Sequence, residues 1–253
     1  MASLFKNTVL QEQLAVSVVP QLKEKVEVVK QWHTALQDNS LLKKTETQCE
    51  QAFNDDFFIN ILGYTRFPSD RYTIEPKAAS ETAGGQKPDA ALGIFTSGNK
   101  VVHCVCEIKD ANTSLDKPQQ REGSLTPVQQ GFKYKPLYKN CGFVVVTNFR
   151  EIRLYRDTMH DYEQFTLEEL ADPVDDYSNF RKFHYLLCAD HFIAESGKSK
   201  TEQLLAAIRI EQEEITKQFY KKYRLLRQDV IRSIVNRNKI AKGTFPHIVE
   251  KAQ

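Results

Sequence analysis

Residues 101–110, VVHCVCEIKD, constrain this chain more than any other stretch. The apolar run reads as a buried strand whose side chains alternate between faces. Val102, Cys104, Cys106 and Ile108 fall on one face; Val101, His103, Val105, Glu107 and Lys109 fall on the other. Packing gives an apolar strand no reason to end in a carboxylate and an ammonium on one face, because each is costly to desolvate unless paired or bound to a metal. Residues 87–93, KPDAALG, read as a second short strand that opens with Asp89. Thr96-Ser97-Gly98-Asn99 reads as a hairpin turn, so Asp89 and Glu107 are expected side by side on paired antiparallel strands, despite the 17 residues between them. His103 shares the Glu107 face by this parity but lies two residue pairs away, and reads as a core or surface histidine.

Further signals follow in a set order. Thr126, Pro127 and Gln129 form the start of a helix, with a Thr N-cap, Pro in the first turn and a capping box closed by Gln129. Gln130 and Tyr134, four apart, then stand one above the other on that helix. Residues 142–148 (GFVVVTN) and 151–155 (EIRLY) read as two more strands.

Pro88-Asp89, a gap, then Glu107-Ile108-Lys109 resembles the core of the PD-(D/E)XK nuclease superfamily. With the Gln-x-x-x-Tyr helix and the "TN" and "IRLY" strands, the order resembles the N-terminal nuclease domain of type IIG restriction-modification enzymes and related restriction subunits. The resemblance implies an α/β (α+β) fold, a restriction-endonuclease-like core with a central mixed sheet flanked by helices, plus N- and C-terminal helical segments. The division expected is an N-terminal helical segment over 1–40, the nuclease core over 41–175 and a basic helical connector over 176–253.

The resemblance also implies a Mg²⁺-dependent endodeoxyribonuclease acting on double-stranded DNA, with Mn²⁺ as a substitute metal. Asp89, Glu107 and the Ile108 carbonyl would supply hard oxygen ligands. Lys109 would stand beside the attacking water, helping to deprotonate it or stabilising the developing charge. Gln130 would orient water or phosphate, with Tyr134 supporting it. The first core helix of the family often carries a glutamate facing the metal; Glu50 fits, as ligand of a second metal or of a metal water, with Glu46 as the competing candidate. Two other classes stand beside this reading: an inactive nuclease-fold module for DNA binding or assembly, and a helical interaction domain with an unrelated α/β insert.

Composition sets the outer bounds. At 253 residues and 41% hydrophobic, the chain can bury a full core. It has no run of ~18 apolar residues and no signal-peptide pattern, so a soluble cytoplasmic protein without membrane contact is expected. Five cysteines without regular spacing suit a reducing compartment, and Cys104-x-Cys106 reads as core packing rather than half of a zinc site.

Residues 4–38 carry a helical stripe of Leu10, Leu14, Val18, Leu22, Val26, Val29 and Trp32, interrupted by Pro20. A helix over 45–61 follows, with Cys49, Ala52, Phe53, Phe57 and Ile61 near one stripe and Gly63 closing it. Residues 72–75 read as a strand, 82–86 as a glycine-bearing link, and 110–123 as a polar loop within reach of DNA. Residues 165–170 read as the end of the core. Gly197-Lys198-Ser199 lacks the preceding glycine and strand of a phosphate loop. A long helix over 201–236 leads into residues 217–242, where nine Lys or Arg meet one acid, Asp229.

Lys221, Lys222, Arg224 and Arg227 are the DNA-binding candidates there, through sequence-independent phosphate attraction. Alternatively the apolar side, Phe219, Leu226, Val230 and Ile234, packs on a partner domain. In the resembled enzymes this pattern, here Phe219-Tyr220, Tyr223 and Arg227, belongs to the connector before a methyltransferase. No methyltransferase motif is present, so downstream methyltransferase and target-recognition domains of a longer protein are the expected partners.

Overall fold

Six strands form one mixed sheet in the computed structural model, which describes residues 4–5, 7–79, 87–120 and 123–238. The expected link at 82–86, Arg121, and Lys239 and Lys242 of the basic stretch lie outside these residues. The strands lie side by side in chain order: β1 (Arg71–Pro76), β2 (Ala90–Thr96), β3 (Lys100–Ile108), β4 (Phe143–Thr147), β5 (Glu151–Tyr155) and β6 (Tyr162–Thr166). β3 and β4 pair in parallel and the other neighbours antiparallel. A parallel pair needs a crossover, and α4 (Pro127–Tyr134) lies in it. This is the expected mixed α/β (α+β) class, compatible with a restriction-endonuclease-like core.

The hairpin of β2 and β3 carries an irregularity that simple alternation misses. Leu92 pairs with Cys104 and Gly93 with Val102, so His103 is left over as a β-bulge. The bulge shifts the parity upstream: Val102, expected beside Cys104, packs in the same apolar cluster as Val105, Val144 and Val146. Opposite the bulge the backbones come so close that a Cβ on Gly93 would lie 2.0 Å from the Val101 carbonyl oxygen. α4 covers this cluster, and Gly131 is what lets it approach. A Cβ there would meet Val144 Cγ1 at 2.7 Å and the Glu107 Cβ at 3.7 Å.

Helices supply the remaining core. α1 (Asn7–Val16) and α2 (Leu22–Gln37) are separate, as Pro20 requires. Val18 falls in the break, so helical spacing no longer governs it; it is exposed and Val19 is buried instead. α3 (Glu46–Phe53) starts at Thr45, whose N–H donates to Gln48 Oε1 at 3.0 Å, and continues as a π-helix over Asn54–Ile61 before Gly63 (φ 77°) ends it. Phe53, Phe57, Phe58 and Ile61 are buried, whereas Ala52 of the expected stripe faces solvent. Trp32 stands edge-on to Phe53 and Phe57, and its indole N–H donates to Asp56 Oδ2 at 2.9 Å.

Beyond β5 the core continues. Residues 162–166 form β6, and α5 (Leu167–Ala171), α6 (Val174–Leu187) and α7 (Ala189–Phe192) follow. Phe180, Phe183, Leu186 and Leu187 of α6 are fully buried. The last described helix, α8, spans Lys200–Asn238. Two compact units result, Met1–Leu205 and Ala206–Gln253. Among the described residues, no helix is long and apolar enough to cross a membrane.

Candidate active site

Pairing of β2 with β3 brings the two expected acids together. Ala90 faces Cys106, so Asp89 and Glu107 follow as neighbours at the strand ends. Asp89 is tied to β3 directly: its Oδ2 accepts from the Ile108 N–H at 2.7 Å. Both carboxylates are buried, Glu107 at 3% exposure. The Lys109 ammonium lies 2.5 Å from Glu107 Oε1, and its backbone N–H donates to the Thr147 carbonyl at 2.8 Å, extending the β3–β4 ladder by one step.

α3 brings two more acids. Glu46 and Glu50, one turn apart, share a face of this helix. Glu46 reaches Lys109 at 3.8 Å, and Glu50 reaches Lys77 at 3.3 Å. The two glutamates that compete in the sequence both belong to the cluster. Their i,i+4 spacing is the signal that allows both at once.

Lys77 is the member that sequence reasoning misses. It follows β1 in a left-handed conformation (φ 48°), which costs a residue with a side chain roughly 1–2 kcal/mol. Its N–H donates to the Asp89 carbonyl at 2.8 Å, and its ammonium donates to Asp89 Oδ1. No local pattern marks it, because the contact depends on closure of β1 onto the start of β2.

The electrostatics follow from crowding. Burial, with Asp89 alongside, pushes the Glu107 carboxyl up to about 7 against the pull of Lys109. Burial alone would lower Lys109, but Glu107 and then Glu46 outweigh it and hold the ammonium at about 12. Burial also raises the Glu46 carboxyl. Among the described residues, four carboxylates face two ammoniums, a formal charge of −2 when all are ionised.

A cleft of about 680 Å³ opens from Glu46 and Lys109 along the 110–120 loop, with Lys117, Gln119 and Gln120 in its wall. Gln130 is buried on α4, next to the Gly131 that touches β3, and its Nε2 donates to Gln119 Oε1 at 2.9 Å. Gln130 thus anchors the wall of the cleft. Gln129 serves the cap, with Thr126 N–H donating to its Oε1 at 2.8 Å and its own N–H donating to Thr126 Oγ1 at 3.1 Å. Tyr134 packs against the apolar cluster under α4.

Other candidates lie elsewhere. His103 is beside Glu202, with its Nε2 buried and unbonded. Cys104 and Cys106 are buried free thiols. Lys221, Lys222 and Arg224 are exposed on α8 and Arg227 is half-buried, all within the second unit.

As donors, Asp89, Glu107, Glu50 and the Ile108 carbonyl are all oxygen, the type a hard cation takes. In this arrangement the carboxylates engage lysines, and among the described residues no three His, Cys, Asp or Glu side chains converge to hold a metal ion. The donor chemistry fits a divalent cation once an ammonium gives way.

No curated protein and no solved structure matches the chain. The family model described as MmeI, N-terminal domain, matches residues 23–187, which run from α2 to the end of α6 and include every member of the acid–lysine cluster. The chain therefore belongs to the family of the MmeI N-terminal domain, the nuclease module of type IIG restriction enzymes.

Proposed function

We propose that the chain hydrolyses phosphodiester bonds of double-stranded DNA with Mg²⁺, or Mn²⁺ in its place, as the cleavage domain of a longer restriction-modification protein. One observation carries this reading: among the described residues, four carboxylates gather around two ammoniums at the ends of β2 and β3. Such a surplus of partly buried negative charge opposes folding unless a cation is bound. Asp89, Glu107 and the Ile108 carbonyl would hold the metal, and Glu50 a second metal or a metal-bound water. The metal, when bound, lowers the pKa of its water and polarises the phosphoryl oxygen.

The chain's own groups do the rest. Lys109, oriented by Glu107 and Glu46, faces the cleft, where its ammonium stabilises negative charge developing on the phosphate. Gln130 keeps Gln119 in the cleft wall, so its part is to shape the path of the DNA strand. Lys117 adds positive charge to that wall. Lys221, Lys222, Arg224 and Arg227 supply sequence-independent attraction to duplex. Methyltransferase and target-recognition domains downstream would supply specificity, since phosphate contacts carry no sequence code.

Calorimetric unfolding with and without Mn²⁺, beside nicking of supercoiled plasmid, tests this. Mn²⁺ is expected to raise the Tm of the wild type by mass action and to leave Asp89→Ala unchanged. An equal response in both would remove the metal from this site. The second reading, a nuclease-fold module without catalysis, draws on the lysine-engaged carboxylates; metal binding with no nicking by the full-length protein would favour it.

A further inference from the structure

A second cleft, of about 440 Å³, lies within the first compact unit, between the α1–α2 break, the end of α6 and α7. Its most unusual feature is Lys25. The Nζ of this half-buried lysine rests 3.1 Å from Nε2 of His184, and among the described residues it has no carboxylate partner. His184 is 8% exposed. Burial, then Lys25 itself, presses its imidazole down to about 4, so it accepts from the ammonium as a neutral ring and brings no counter-charge.

Cys188 also lines the cleft, but burial pushes its thiol up, so it brings none either. Lys200 adds a second ammonium without an ion-pair partner among the described residues. Asp190 is the one acid of the lining among the described residues and pairs with neither lysine. Val16, Val18 and Leu62 also line the cleft, and both valines are largely exposed to solvent.

We propose that this cleft binds a small phosphate-bearing molecule, with Lys25 and Lys200 on the phosphate oxygens and Val16, Val18 and Leu62 against an apolar part. An unpaired, half-buried ammonium is a standing electrostatic cost that an anion removes. Two compact ammoniums, each with three rotatable donors and no fixed fork geometry, can share the oxygens of a tetrahedral dianion. Its size falls in the range of small-molecule sites, and its lining mixes the two lysines and other polar groups with a smaller apolar part. The proposal is independent of the chemistry assigned to Asp89 and Glu107.

Titration calorimetry on the full chain tests it, with inorganic phosphate, phenyl phosphate and a short DNA duplex as separate probes. Phenyl phosphate is expected to bind more tightly than phosphate. Lys25→Met and Lys200→Met are each expected to weaken it about tenfold or more, the scale of one charge-assisted contact, while Lys25→Arg retains it. The ring signals of His184 and His191 should shift on titration. Absence of phenyl phosphate binding would overturn the proposal, as would equal binding by wild type and both Met variants, which would put the anion elsewhere. Loss of duplex binding alone in the Met variants would also overturn it, since the cleft would then serve the DNA backbone. Lys200 is exposed at the start of α8, so its variant remains informative even if Lys25→Met unfolds.

Discussion

Lys109 and Lys77 each bridge one acid at a strand end and one glutamate of α3, yet the Lys109 side chain is 13% exposed and that of Lys77 50%. Lys109 is an extension of β3, bonded through its backbone to Thr147 and closed in by Glu107 and Glu46. Lys77 stands beyond the end of β1 with half its side chain in water. A sheet hydrogen bond fixes the first ammonium at the end of β3. The second neutralises Asp89 from a position it can leave.

The sharpest way to break this comparison is to remove each charge in turn. Lys109→Met keeps the stem and is expected to lower DNA nicking by the full-length protein at least ~100-fold, the scale of losing one electrostatic stabiliser. Lys77→Met is expected to cost roughly 0–1 kcal/mol of metal-free stability, as for a half-exposed ion pair, and to enlarge the Tm rise on adding Mn²⁺, because Asp89 no longer has to release an ammonium. Equal loss of nicking in the two variants would mean that the lysines do the same job.

Gly131→Ala tests how closely α4 must approach the Glu107 side of this contrast. The new methyl would meet Val144 Cγ1 at 2.7 Å, against the roughly 1 kcal/mol that alanine gains over glycine in a helix. Overpacking of this kind costs about 1–3 kcal/mol, so urea unfolding is expected to show net destabilisation. A more stable variant would show that the helix has room to shift.

The pH dependence sharpens the comparison from the buried side. In the metal-free protein the Glu107 carboxyl is raised from its ordinary 4.5 to about 7. A raised carboxyl contributes stability that is full below 4.5 and lost as pH rises through 7, because the folded state binds the extra proton in that window. His184, pressed from 6.5 to about 4, works in the opposite sense, with stability present above 6.5 and lost as pH falls through 4. Lys109 stays charged throughout. The difference in Tm between Glu107→Gln and wild type cancels the His184 contribution, and is expected to grow in favour of the variant from pH 4.5 to 7. A flat difference would mean that Lys109 keeps Glu107 ionised across the whole range.

What was legible in the sequence, and what was not, divides along the same line as the two lysines. The β2–β3 hairpin, the neighbouring acids and Lys109 are written locally, in an alternating apolar run, a Ser-Gly turn and a charge at the strand end. The Thr126 cap is equally local. Lys77 is not, since its role exists only after β1 closes onto Asp89. The bulge at His103 escapes because one extra residue in an alternating run leaves no mark except Gly93, whose need for close approach appears only in the pair. β6 escapes because Tyr162-Glu163-Gln164-Phe165-Thr166 is short and half polar. The burial of α6 escapes because nothing in Phe180, Phe183, Leu186 and Leu187 says which surface their face will meet.

The smallest expected effect separates two adjacent glutamines. Gln129 is exposed and closes the capping box with Thr126, so Gln129→Ala is expected to cost at most ~1 kcal/mol in urea unfolding and to leave nicking near the wild-type rate. Gln130 is buried and bonded to Gln119 in the cleft wall, so Gln130→Ala is expected to release that wall and lower nicking. Its effect on activity should exceed that of its neighbour even where the two stability losses are alike, because its partner Gln119 lines the cleft. Measuring both variants by denaturation and by plasmid nicking separates the roles. If Gln129→Ala lost the activity and Gln130→Ala kept it, the 110–120 loop would play no part in guiding the strand, and the working surface would be limited to the acids and Lys109.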